Sequence, residues 1–242
     1  MKKLLTLLLT LLCTTHLFAQ PHMSATLQNM HLWRGGEVAD GFVLTTDMYY
    51  STSQDRLKVG FWGGMNSVGE YKEFNYYANY TFGNFYVALA DTYNFSTYAT
   101  YNNEEFFNYT AAQTGRFLDA TIRYSLGKKS PLRLSWSTVI FGRDRDAENS
   151  GNRYSTFFNI EYPIYKKDSW QIDASLGTAF ALREIGDSSN FYGEKAGIVE
   201  ATLKVSNKIT ISNYEIPVYM LMMWNPQSNN AYMQLCAQIV RF

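Results

Sequence analysis

Residues 73–85 read EFNYYANYTFGNF. In an extended chain, successive side chains point to opposite faces. Phe74, Tyr76, Ala78, Tyr80 and Phe82 therefore share one face, and Glu73, Asn75, Tyr77, Asn79 and Thr81 share the other. One face is apolar and the other hydrophilic. Gly83-Asn84 follows as a two-residue hairpin signal, and a second strand begins at once with Phe85. This hairpin, with one wet face and one greasy face, is the unit from which the fold is predicted.

The same period of two recurs along the chain. It predicts strands over residues 24–33, 42–51, 57–66, 73–82, 85–93, 117–126, 132–141, 154–165, 170–182, 198–206, 209–224 and 231–242. The gaps after the second, fourth, sixth, eighth and tenth strands are short, and Asn207-Lys208 supplies the last of these turns. The remaining gaps are longer. An even strand count with tight turns at one end and elaborated loops at the other is the pattern of single-chain bacterial barrels. Closure also removes the exposed edges that an open sheet of this size would carry. The expected fold is all-β, a closed antiparallel transmembrane β-barrel of about twelve strands, with short periplasmic turns and longer outer loops.

The N-terminus agrees with that destination. Lys2-Lys3 precede an apolar run from Leu4 to Leu12, and Leu17-Phe18-Ala19 ends on a small residue. This reads as an export signal over residues 1–19, cleaved after Ala19, leaving residues 20–242 as one outer-membrane barrel domain. The apolar run is well short of the ~20 residues a spanning helix needs. A lipoprotein reading through Cys13 is the alternative, but Leu12 stands where a small residue is required. After cleavage only Cys236 remains, so no intramolecular disulfide forms.

Composition excludes several classes. With 21 basic and 21 acidic residues the formal net charge is zero, so nucleic acid is not an expected partner. Aromatics make up 17% of the chain, with 19 Tyr and 16 Phe. Such an excess suits rings placed at two membrane interfaces. A secreted β-sandwich, which also favours these residues in strands, is the soluble alternative. The chain ends on Phe242 at the close of a strand, with Val240 matching an alternate apolar position and Gln238 departing from it. A terminal aromatic of this kind resembles the signal read by the barrel-assembly machinery.

Trp33-Arg34-Gly35-Gly36 closes the first predicted strand, residues 57–64 read LKVGFWGG, and EFNYYANYTFGNF follows, with the next strand ending near Asp91. This order resembles a family of bacterial putative porins of the TorF type, in which a WRG strand, a G-x-W-G strand and an acidic-aromatic strand follow one another. The likeness covers Leu27 to Tyr93. More distantly the chain is similar to the twelve-stranded nucleoside-channel barrels. The resemblance implies an outer-membrane location and a porin-like fold, and it carries no ligand residues.

No catalytic residue, metal site or cofactor is predicted. The mature chain has two histidines, His22 in an expected N-terminal tail and His31 near the outer end of the first strand. Neither sits in a nucleophile motif, and no metal-ligand spacing or phosphate-binding glycine pattern occurs.

The charges on the wet face carry the functional reading. Alternation places Asp47, Lys58, Glu73, Asp119, Arg123, Arg133, Glu161, Asp173, Glu200 and Lys204 there. Facing lipid, such groups would cost roughly 2–4 kcal/mol each near the midplane. They are therefore expected to line the lumen. Either they border a narrow passage for small polar solutes, or they pair across a closed interior that only stabilises or anchors the barrel. Twelve strands lie between the packed small barrels and the open porins, so strand number leaves both readings standing. The long gap over residues 94–116 holds Tyr98, Tyr101, Phe106, Phe107 and Tyr109 with Glu104-Glu105. It is expected to be a loop whose rings pack together, with sugar stacking or an inward constriction as alternatives. Arg143, Asp144, Arg145 and Asp146 are expected to form a mixed-charge loop, either solvated or bridging lipid headgroups. The partners implied are membrane lipid, the assembly machinery and a small polar solute.

Overall fold

The computed structural model describes residues 20–52, 54–127, 130–183 and 187–242. The expected export segment, residues 1–19, lies outside them. In chain order the strands are β1 (Gln20–Gln28), β2 (His31–Trp33), β3 (Gly36–Ala39), β4 (Val43–Ser51), β5 (Leu57–Asn66), β6 (Lys72–Phe82) and β7 (Phe85–Asn94). They continue as β8 (Arg116–Ser125), β9 (Arg133–Gly142), β10 (Ser155–Lys167), β11 (Trp170–Ala181), β12 (Gly197–Ile211), β13 (Tyr214–Asn225) and β14 (Asn230–Arg241). Twelve of these close into one antiparallel barrel in the order β1-β14-β13-β12-β11-β10-β9-β8-β7-β6-β5-β4, and β2 and β3 form a separate two-stranded hairpin.

Closure depends on the two ends of the barrel meeting. β1 pairs with β4 on one side and β14 on the other. Met23 and Phe242 exchange both backbone hydrogen bonds, at 3.3 and 2.9 Å. A register shift between the Ala25–Val240 and Thr26–Gln238 pairs skips Ile239. That bulge explains why Gln238 breaks the apolar alternation toward Phe242: one extra residue resets which face follows.

The outside is apolar. Leu44 and Met48 on β4, Val59 and Phe61 on β5, Leu89 on β7, Ile122 on β8 and Leu176 on β11 are all exposed. Near the tight turns, Tyr80, Phe82, Phe85 and Tyr124 form a continuous run of rings, with centroids 5.9, 5.4 and 4.7 Å apart. An apolar band bordered by aromatics around a polar interior is the polarity of a barrel that crosses a bilayer. The tight turns follow from local chemistry. Gly83, Asp168 and Ser212 each take a positive φ at the first of two turn residues, which matches the twist of the flanking strands.

Four expectations are corrected. β1 ends at Gln28, so Trp33-Arg34-Gly35-Gly36 is the tip of the β2–β3 hairpin and not the end of a wall strand. His22 lies inside β1 and not in a tail; its ring stacks on Tyr49 at 4.7 Å. The last tight turn is Ser212-Asn213. Asn207 and Lys208 stay in the ladder opposite Val218 and Pro217, because the period of two runs through them to Ile211. Val199, which strict alternation with the lumen-facing Glu200 would turn outward, is instead fully buried with Phe157 and Ala179. A bulge between Gly177 and Thr178 skips it and turns two successive residues, Val199 and Glu200, inward.

Candidate functional site

The barrel encloses a cavity of about 1190 Å³. All ten charged residues read from the alternation line it: Asp47, Lys58, Glu73, Asp119, Arg123, Arg133, Glu161, Asp173, Glu200 and Lys204. Between them stand amides and hydroxyls, among them Asn75, Asn79, Thr121, Ser135, Asn159 and Thr202. The strands bring the charges together in groups. Arg133 on β9 bonds Glu161 on β10 and reaches Asp173 on β11 at 3.1 Å. Gln171 donates two further bonds to Asp173, at 2.9 and 2.8 Å. Asp47 accepts from the Tyr77 hydroxyl at 2.7 Å. Glu73 accepts from Asn75 at 2.8 Å and from Asn94 at 3.2 Å.

The β2–β3 hairpin crosses this lumen at the loop end. Arg34 and Gly35 both have positive φ, 45° and 86°, which is the type I′ geometry of a two-residue hairpin turn. The Arg34 guanidinium meets Asp119 on β8 in a two-pronged contact, 2.6 and 2.8 Å, and donates to the Tyr192 hydroxyl at 2.6 Å. The Gly35 amide donates to Glu200 on β12 at 3.1 Å, and its carbonyl accepts from Asn225 on β13 at 2.9 Å. A Cβ at Gly35 would lie 2.2 Å from the Val199 carbonyl oxygen, so only glycine lets the tip seat this closely. Trp33 packs among Phe117, Phe191 and Tyr192, with centroids 5.7, 6.1 and 5.4 Å away.

At the hairpin base, His31 lies against Trp62 and Tyr71, at 5.4 and 5.7 Å. The Gln28 amide donates to His31 Nδ1 at 3.0 Å. That bond requires an unprotonated Nδ1. Burial lowers the His31 pKa to about 4. Burial likewise pushes the Tyr192 hydroxyl up to about 12, against the opposing pull of Arg34.

The outer loops are more ordered than expected. Asp144 is buried and accepts from the Ser155 amide and hydroxyl, each at 2.7 Å. Asp146, also buried, accepts from Ser150 at 2.6 and 2.8 Å. Arg143 lies flat on Tyr101, its Cζ 3.6 Å from the ring centroid. This segment is a built loop and not a solvated charge run, because its carboxylates are consumed by turn hydrogen bonds. Residues 95–115 split their rings: Tyr101 covers Arg143, while Phe106 and Tyr109 enclose the fully buried Arg116. Arg116 pairs with Asp91 at 2.8 Å.

No family model matches this chain, and no curated protein matches it. Among solved structures the chain is similar to a bacterial polysaccharide outer membrane secretin. The TM-score is 0.41 and the identity 10%, over 93% of this chain and 97% of that one.

Reading the sequence located the wall charges and missed what meets them: Arg34, Gly35, Trp33 and Tyr192. A local signal existed. His31 and Trp33, then Gly36 and Val38, alternate across Arg34-Gly35 and all four line the cavity, a miniature hairpin pattern set inside a longer gap.

Proposed function

We propose that this chain is an outer-membrane barrel whose lumen passes small polar solutes, with the β2–β3 hairpin narrowing its loop end. One observation carries the reading: the interior is a cavity of about 1190 Å³ bordered by charges, amides and hydroxyls, whereas the interiors of the smallest barrels, of about eight strands, are filled by side chains. The apolar outer face and the run of rings near the tight turns support the membrane location. The order of motifs between Leu27 and Tyr93 resembles TorF-type putative porins, which agrees with that role.

A second reading, a barrel sealed by its hairpin and serving as an anchor, is favoured by the Arg34–Asp119 contact across the mouth. Planar-bilayer recording of the full mature chain separates the two. Stepwise conductance supports the channel. A bilayer that stays sealed at every voltage, with Arg34→Ala as well as with the native hairpin, leaves only the anchor.

A further inference from the structure

The six predicted lumen carboxylates are all occupied by protein donors. Asp47 has Tyr77, Glu73 has Asn75 and Asn94, Asp119 has Arg34, Glu161 and Asp173 share Arg133, and Glu200 has the Gly35 amide. The lumen cations are not treated alike. Arg34 and Arg133 are paired, and Arg143 is enclosed by the rings of Tyr101, Phe117 and Phe191. Lys58, Arg123 and Lys204 make no hydrogen bond or ion pair among the described residues. Each lies instead over a tyrosine ring: Lys58 over Tyr49 at 4.7 Å, Arg123 over Tyr86 at 5.0 Å and Lys204 over Tyr219 at 4.3 Å.

A ring face steadies a cation by its quadrupole and does not replace an oxygen acceptor for all of its N–H groups. These three side chains therefore keep their donors for whatever enters the cavity they line. They stand on β5, β8 and β12, which are three, four and five strands apart around the ring. Donors so spaced face the cavity from three sides. Carboxylates neighbour two of them: Asp47 and Asp55 interact with Lys58 through space, and Asp173 is the ladder partner of Lys204. Asp47 and Asp173 already accept from protein donors.

We infer that Lys58, Arg123 and Lys204 form an anion-selecting ring, and that the solute is a small molecule bearing a carboxylate or phosphate. This rests on the channel reading above and narrows it. Inside a passage with low-dielectric walls the field of a fixed cation is focused, so it attracts anions more strongly than it would in bulk water.

Two measurements test it. In a bilayer with a tenfold KCl gradient, the reversal potential should show severalfold preference for chloride, lost when Lys58, Arg123 and Lys204 are all replaced by Gln. Current with no ion preference, or with potassium preferred, overturns the ring while leaving the channel standing; absence of any current removes the channel instead. The second measurement needs no current. Thermal unfolding of the folded barrel in detergent is followed with inorganic phosphate, acetate, choline or glucose at equal ionic strength. Phosphate or acetate should raise the midpoint of the native chain and not of the triple variant, and which of the two acts tells phosphate from carboxylate. A rise with choline or glucose equal to that with the anions, or none with either anion, rejects the proposal. Heat-modifiable migration checks that the triple variant folds; if it does not, Arg123→Gln and Arg123→Lys are compared, with only Lys expected to keep the anion response.

Discussion

Arg34 and Asp119, 85 residues apart in sequence, meet in a two-pronged contact of 2.6 and 2.8 Å that ties the β2–β3 hairpin to β8. Paired charges in this geometry gain both strength and direction. Side-chain exposures of 15% and 8% mean that neither group is left to water. Losing one partner strands the other, which typically costs about 3–5 kcal/mol for a buried pair.

Arg34→Ala should therefore release the hairpin tip while the wall strands, each held by its own ladder, stay closed. Single-channel conductance should rise severalfold with unchanged heat-modifiable migration. A conductance equal to that of the native chain would mean the hairpin does not limit the passage.

Gly35→Ala tests the same seat by shape. Its Cβ would fall 2.2 Å from the Val199 carbonyl oxygen, at a φ of +86°. The tip has to back away, so the variant should behave like Arg34→Ala, with the ion pair chemically intact. A loss of about 1–3 kcal/mol in thermal stability is expected from strain of this kind.

Acid should loosen the hairpin base. The His31 pKa falls to about 4 when it is seated, from an ordinary value of 6.5. Between those two values the undocked state binds more protons than the docked one, so docking weakens as pH falls from about 6.5 to about 4 and is insensitive to His31 above that window. Current should rise over this interval in the native chain. His31→Phe should remove that rise, and an identical pH profile in the variant would exonerate His31.

Arg116→Ala separates rim from lumen. Arg116 is fully buried beneath residues 95–115 and pairs with Asp91, away from the cavity lining. The variant should lose stability by about 3 kcal/mol, seen as a lower temperature for the heat-modified gel shift. Its ion preference should match the native chain.

The twelve wall strands were legible because each obeys a local rule. A period of two needs only neighbouring residues, and β6 alone shows it from Glu73 to Phe82. The departures occur where pairing partners, not neighbours, decide. Val199 turns inward because β11 and β12 slip by one residue at Gly177. The Ser212 turn prevails over Asn207-Lys208 because the ladder to β13 keeps pairing as far as Ile211 and Tyr214. His31 and Trp33 share the alternation of a wall strand, yet they leave the wall. Nothing between residues 29 and 42 announces that its partners are Asp119, Tyr192, Glu200 and Asn225.

By itself the sequence determined the barrel, its inside and its outside, since hydrophobic alternation is written residue by residue and lipid tolerates only one orientation of it. The tertiary structure alone decided how the lumen is divided. Which charges neutralise one another, and which keep their donors free, depends on strands brought together from across the ring and on a hairpin folded into the mouth. Coulombic and hydrogen-bond energies act through space, over distances that sequence separation does not encode.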